Sequence, residues 1–155
     1  MYSKINESFI EVTKNIFQKL FSTEIMEEEI YTVDNKNHKW DISGVVGVVG
    51  DYEGVVSIRL LQTSASKLLE KSRVDSPEIS VRWNLINDMI GEVVNNITGN
   101  VLSKISKNEF THSVPITIQG ENHILQWPKE APILAIPFKM DYGVFEVQYS
   151  LVENK

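Results

Sequence analysis

Cysteine is absent from the sequence. That excludes disulfides, thiolate nucleophiles and cysteine-based metal sites, and it fits a reducing compartment. Long hydrophobic runs are missing too. Nothing approaches the roughly 18 consecutive apolar residues of a membrane span, and the opening MYSKINESFI has no apolar core of a signal peptide. No membrane association is expected, and the cytoplasm is the expected location. Positive charge is in deficit: 15 Lys and Arg stand against 21 Asp and Glu, a net charge of −6, with no basic cluster. Nucleic-acid affinity comes largely from Lys and Arg neutralising phosphates, so no nucleic-acid partner is expected. His38, His112 and His123 are far apart, and none has an i, i+4 partner of ligand type. The spacing rules of a zinc site are unmet. No G-x-S-x-G elbow occurs. Gly44, Gly47, Gly50 and Gly54 lie 3 to 4 apart, but no Lys-Ser/Thr pair and no helix follows. A phosphate-cradling loop lacks its strand–loop–helix context. Bulges, or close approach of another layer, explain these glycines.

What is present is an ordinary core fraction, 42% apolar in 155 residues, which predicts one domain spanning residues 1–155. Ser3 to Phe21 reads as an amphipathic helix with Ile5, Phe9, Val12, Ile16 and Leu20 on one face and Phe17 and Phe21 beside them. From Glu24 the period changes to two. Ile25 to Val33 predicts an exposed first strand, followed by a polar turn at Asp34, Asn35, Lys36 and Asn37. Asp41 to Val49 and Gly54 to Leu61 flank Gly50-Asp51-Tyr52 as a hairpin. Thr63 is the expected cap of a short helix, Ser64 to Ser72, with Ala65, Leu68 and Leu69 inward. Ser76-Pro77 resembles an N-cap followed by a first helical proline, with Ile79 continuing the apolar stripe and the helix running to about Lys107, where Asn108 stops it. Ser113 to Gln119 predicts a strand ending at Gly120, and Glu121 to Glu130 a loop. Ile133 to Met140 and Val144 to Leu151 flank Asp141-Tyr142-Gly143 as a second hairpin. Pro137 places its strand at an edge or a bulge. No βα alternation is visible. The expected class is α+β: an antiparallel sheet of about six strands with helices on one face.

The longest helical pattern, Trp83 to Ser106, organises the rest. At about 100° per residue, Trp83, Ile86, Ile90, Val93, Val94, Ile97, Val101 and Ile105 share one side. Asp88, Glu92, Asn95 and Gly99 share the other. Burial requires the first stripe but not the second. The second stripe is short of Lys and Arg, so it lacks the usual i, i+4 ion pairs. Asn95 and Asn96 are poor helix formers, and Gly91 and Gly99 each cost about 0.8–1 kcal/mol against Ala. Gly99 leaves a flat spot where another backbone can approach. Asp88 to Gly99 covers about 16 Å at 1.5 Å per residue, which suits lying across another protein better than enclosing a small ligand. Asp88 and Glu92 on an exposed face lack the desolvation that acid–base chemistry needs.

Asp88-x-x-x-Glu92-x-x-Asn95, followed by Gly99-Asn100, resembles the signature helix of the CheC/CheX/FliY phosphatases of bacterial chemotaxis. The N-terminal helix, the segment Asp41 to Gly50 leading into Gly54-Val55-Val56, and Pro115 with Gly120 before a final hairpin are similar as well, so the resemblance covers nearly the whole chain. The signature occurs once, which favours CheX over CheC. The resemblance implies a CheC/CheX-like fold and a phosphatase acting on the aspartyl phosphate of a response-regulator receiver domain such as CheY. It implies that Glu92 docks on the receiver's lysine and Asn95 orients the attacking water, with Asp88 and Gly99 in partner contact. It implies no cofactor in this chain, Mg²⁺ in the receiver, and a homodimer formed by joining sheets. The other reading is a non-catalytic module that docks a receiver or a flagellar switch component through the same helix; a pure scaffold has no need of the Glu92/Asn95 pair. A small-molecule binding domain finds no Gly-rich loop or clustered polar pocket to support it.

Overall fold

Aromatic residues decide how the first helix lies. In the computed structural model, which describes residues 2–34, 39–74, 76–121, 123, 125, 127–128 and 131–154, α1 (Tyr2–Phe21) buries Ile5, Phe9, Val12, Phe17 and Phe21. Phe9 stacks on Tyr149 with ring centroids 4.7 Å apart, and Phe17 on Phe145 at 4.5 Å. Ile16 and Leu20, expected on the buried face, are only partly covered. The helix is rolled toward Phe17 and Phe21, whose larger apolar surfaces gain more from burial.

The remaining elements follow in order: β1 (Met26–Glu27), β2 (Tyr31–Thr32), β3 (Ile42–Gly50), β4 (Tyr52–Leu60), α2 (Gln62–Ser72), α3 (Ile79–Ile105), β5 (Phe110–His112), β6 (Ile116–Gln119), β7 (Leu134–Met140) and β8 (Gly143–Glu153). The sheet runs β1-β7-β8-β4-β3-β5, with β2 also on β7 and β6 also on β3. Every pairing is antiparallel. Eight segments thus occupy six lanes, which is why about six strands were legible. All three helices pack on one face, and the class is α+β.

Several boundaries differ from expectation for local reasons. The exposed strand over 25–33 is two short strands, and Ile25 is buried. The polar turn over 34–37 lies largely outside the described residues, as does His38. Pro137 falls between the register of β1 and that of β2, its carbonyl accepting from Glu28 N–H at 2.9 Å, so its missing donor breaks no long ladder. The strand expected over 113–119 is split. Ser113 closes on Gly47 through N–H to carbonyl at 2.9 Å and through its Oγ accepting the Gly47 N–H at 2.9 Å, before the chain resumes pairing at Ile116.

Thr63 is not the α2 cap. Leu61 holds the N-cap position without a side-chain bond, and the Asp41 carboxylate accepts the Gln62 N–H at 2.8 Å, filling one of the orphan donors of that end. Ser76 and Pro77 precede α3 rather than start it. Glu78 is its N-cap, and Ser76 Oγ accepts the Glu78 N–H at 3.3 Å. Ile79 is 72% exposed and does not extend the buried stripe. The helix ends at Ile105 with Ser106 as C-cap. Asn108 acts one step later, held with Lys107 by the Asp51 carboxylate, which accepts their N–H groups at 2.8 and 2.7 Å. The Asn108 bond leads the causes that lower the Asp51 pKa.

Two glycines are fixed by close neighbours, Gly44 between helix and sheet and Gly54 between two strands of the sheet. A Cβ on Gly44 would meet the Ile90 and Val94 side chains at 3.0 Å, so glycine lets α3 settle on β3. At Gly54, φ is +153° and a Cβ would run into the Ser150 carbonyl.

The helix-free side of the sheet is unusual in being polar and buried. Ser43, Ser57, Arg59, Glu146, Gln148 and Ser150 are all buried. Arg59 sits opposite Glu146, and Ser57 opposite Gln148, in the β4–β8 register. Tyr31 donates its hydroxyl to Glu146 at 2.6 Å, and Gln148 donates its amide to the same carboxylate at 2.9 Å. Arg59 Nε donates to Ser43 Oγ at 3.0 Å and Nη2 to the His123 carbonyl at 3.2 Å. Trp40, 3% exposed, lines the same small recess as Arg59 and Gln148. Burial, with the Glu146 bond second, drives the Tyr31 pKa well above its ordinary value. The same desolvation lowers that of Arg59.

Candidate functional site

The 27 residues of α3 cross the sheet and bury Ile86, Ile90, Val93, Val94, Ile97, Val101 and Ile105, as the periodicity predicts, together with Gly91, Thr98 and Leu102. Trp83 is only partly covered. On the outer ridge Asp88 and Glu92 are exposed, while Asn95 and Gly99 are half-buried. All four therefore lie along one line on the surface, with side chains three or four apart and one above another.

The ridge is held from both sides. Thr117 on β6 donates its hydroxyl to the Asn87 carbonyl at 3.1 Å, and Gln119 donates to the Trp83 carbonyl at 3.5 Å. α1 braces the far end, where Lys104 pairs with Glu11 at 2.8 Å. The two helical glycines now separate. A Cβ on Gly91, which is buried, would meet Thr117 Oγ1 at 3.4 Å and Pro115 Cγ at 3.6 Å, ordinary contact with the sheet edge. A Cβ on Gly99 would meet only His112 Nε2, at 3.6 Å, which is ordinary van der Waals contact. Among the described residues, nothing requires glycine at 99.

Among the described residues, the side chains of Asp88, Glu92 and Asn95 make no hydrogen bond or ion pair. Their neighbours are engaged: Asn100 Nδ2 donates to the Asn96 carbonyl at 2.7 Å, and Ser103 Oγ to the Gly99 carbonyl at 2.9 Å. A carboxylate and an amide are thus held on a rigid helix with their capacity unspent. The carboxylate can accept from a cation. The amide can donate and accept at once, and so can hold a water without changing protonation.

Other chemistries find no footing. Among the described residues no group of three or more His, Asp or Glu is placed to hold a metal ion. His112 borders the ridge near Gly99, while His123 lies on the other side of the sheet. There Ser43 Oγ and His123 Nε2 are 2.7 Å apart, a serine–histidine pair that spacing did not reveal. The Gly120 carbonyl, 2.8 Å from Nδ1, can only accept, so Nδ1 carries the proton and Nε2 accepts from Ser43. Ser43 is wholly buried and also accepts from Arg59, which makes the pair a structural link rather than a nucleophile. Gly44, Gly47, Gly50 and Gly54 lie inside β3 and β4 and cradle nothing at a helix end. Outside the predicted four residues, Leu85 and Met89 border the ridge beside Asp88 and Glu92 and are only partly covered. Their i, i+4 spacing is present in the sequence, but neither residue is assigned to a face there.

The family model described as chemotaxis phosphatase CheX matches residues 42–139. No curated protein matches the chain. Among solved structures, the chain is similar to a chemotaxis protein CheX from Desulfovibrio desulfuricans, with 27% identity, a TM-score of 0.85, and coverage of 96% of this chain and 99% of that one. A CheC-like superfamily protein from Shewanella sp. PV-4 shares 24% identity over 98% of this chain and 99% of that one, with a TM-score of 0.84. A CheX–CheY–BeF₃–Mg²⁺ complex from Borrelia burgdorferi shares 22% identity over 96% of this chain and 98% of that one, with a TM-score of 0.81.

Proposed function

The chain belongs to the CheX family of chemotaxis phosphatases, and from that premise we propose that it accelerates hydrolysis of the aspartyl phosphate on a CheY-like receiver domain. One observation carries the reading: Glu92 and Asn95 stand on an exposed ridge with no partner inside the described residues. Glu92 receives the receiver's active-site lysine and fixes the register of the two proteins. Asn95 enters the receiver's site and orients a water in line with the acyl phosphate. The water oxygen forms the new P–O bond, the bond to the aspartyl oxygen breaks, and inorganic phosphate and a free carboxylate result. Such a reaction needs placement and charge stabilisation, with little covalent help from the protein. Asp88 and Gly99 contribute contact and clearance. The metal belongs to the receiver, as the Mg²⁺ of the Borrelia complex suggests, and this chain supplies no cofactor.

The same reading places the protein in the cytoplasm as one domain over residues 1–155, working as a homodimer joined through a sheet edge. Two edges offer unpaired backbone, one at β1 and β2 and one at β5 and β6. No helix among the described residues is long and apolar enough to cross a membrane. The test mixes the purified protein with a phosphorylated CheY-like receiver and follows phosphate release. Glu92→Ala and Asn95→Ala are expected to abolish the acceleration with the fold intact. Unchanged activity in both would remove the reading, and tight receiver binding without acceleration by the wild type would leave the docking module in its place.

A further inference from the structure

Beside the ridge lies a recess of about 250 Å³, between the C-terminal turns of α1 and α2 and the first half of α3. Leu20, Val74, Leu85 and Met89 line it, and Asp88 and Glu92 stand at its boundary. Among the described residues, no Lys or Arg lines it. Val74 is 58% exposed, a large apolar residue left open just beyond α2. A dry apolar cavity of about 150 Å³ accepts a benzene, so this recess has room for an aromatic or branched aliphatic side chain.

The chemistry of the recess is specific. An apolar floor bordered by two carboxylates, with no counter-cation of its own, complements an apolar side chain next to a positive charge. Glu92 belongs to both the recess and the catalytic ridge, so the two surfaces are continuous. We propose that this recess is a docking pocket for the phosphorylated receiver. It takes an apolar side chain that the receiver carries beside its active-site lysine, and it sets how tightly a given receiver is held. Its apolar lining residues, Leu20, Val74, Leu85 and Met89, carry no group that can place water, so they act in binding rather than in the chemical step. The inference rests on the phosphatase reading of Glu92 and Asn95.

The test compares Val74→Asp and Met89→Gln with Asn95→Ala. Affinity is read by titration with a CheY-like receiver saturated with Mg²⁺ and beryllofluoride, and turnover by phosphate release. Val74 is open to solvent, so its substitution leaves the fold intact; thermal melting checks Met89→Gln. The expected result is a rise of about tenfold in Kd and KM for both recess variants, one decade of affinity, with kcat within about twofold and Asn95→Ala losing kcat instead. Recess variants with wild-type Kd and KM, beside an inactive Asn95→Ala, overturn the pocket and leave the phosphatase reading standing. Wild-type turnover in Asn95→Ala removes the reading and the pocket with it. A change in self-association in Val74→Asp with receiver affinity intact assigns the recess to a second copy of the chain and also overturns the proposal.

Discussion

Two polar regions of this molecule differ in one respect. On the helix-free side of the sheet, Tyr31 is bonded to Glu146, and Arg59 to Ser43 and His123, by hydrogen bonds between 2.6 and 3.2 Å; among the described residues, the Gln148 Oε1 oxygen there lacks a partner. On the outer ridge of α3, Asp88, Glu92 and Asn95 have no hydrogen-bond or ion-pair partner among the described residues. Buried polar groups must be satisfied, because each unmet one costs about 1–3 kcal/mol. Exposed ones are satisfied by water and need no internal partner. The first set therefore holds the fold, and the second is free to be completed by another molecule. Gly99 strengthens the contrast: a helix-interior glycine costs about 0.8–1 kcal/mol against alanine, and no contact among the described residues requires it.

The comparison can be broken at either end. The largest effect on stability is expected from Arg59→Met, which leaves Glu146 buried opposite an apolar side chain. Unfolding in denaturant should show a loss of about 3 kcal/mol, with phosphatase turnover per folded molecule unchanged. A neutral result would mean that the reverse face is not the structural member of the pair. Glu92→Gln comes next. It should leave the unfolding midpoint in place and weaken receiver binding by roughly 10- to 30-fold, as loss of a charge-assisted bond implies, and the salt dependence of binding should shrink with it. Gly99→Ala should move the two properties in opposite directions. Stability should rise by about 0.8 kcal/mol, and kcat/KM should fall as the added methyl fills the clearance. A variant gaining stability with full activity would strip Gly99 of its role.

The smallest effect is at Asp51. Its folded pKa is depressed, so its contribution is present above the unfolded value, near pH 4, and is lost as pH falls through the lowered folded value. Asp51→Asn should melt below the wild type at neutral pH, and the gap should close in acid. A gap that widens in acid would contradict the assignment of its carboxylate to the Lys107 and Asn108 N–H groups.

Much of the fold was legible because periodicity and turn chemistry are local. The Gly50-Asp51-Tyr52 and Asp141-Tyr142-Gly143 hairpins and the buried line from Ile86 to Ile105 needed no tertiary information. What stayed hidden depended on distant partners. Leu61 rather than Thr63 heads α2, because Asp41, twenty-one residues before Gln62, supplies the carboxylate that accepts the Gln62 N–H. Phe17 displaces Ile16 from the core because Phe145 lies opposite it. The buried Arg59–Glu146 face reads in sequence as ordinary solvent-side alternation on two strands, and among the described residues Tyr31, Trp40 and His123 lie against it. The exposed stripe was visible from spacing alone, and its chemical meaning came from family resemblance. The different surroundings of Gly91 and Gly99 required the neighbours: Pro115 and Thr117 for one, and His112 for the other.

The central claim is that the unpartnered ridge acts on another protein through Asn95. It is tested most directly by single-turnover decay of a phosphorylated CheY-like receiver at saturating concentrations of this protein, wild type against Asn95→Ala, with melting curves recorded for both. The expected result is that the receiver returns to its own slow decay in the variant, a loss of about 10²-fold or more in rate, with melting unchanged. Decay in Asn95→Ala as fast as in the wild type would contradict the claim.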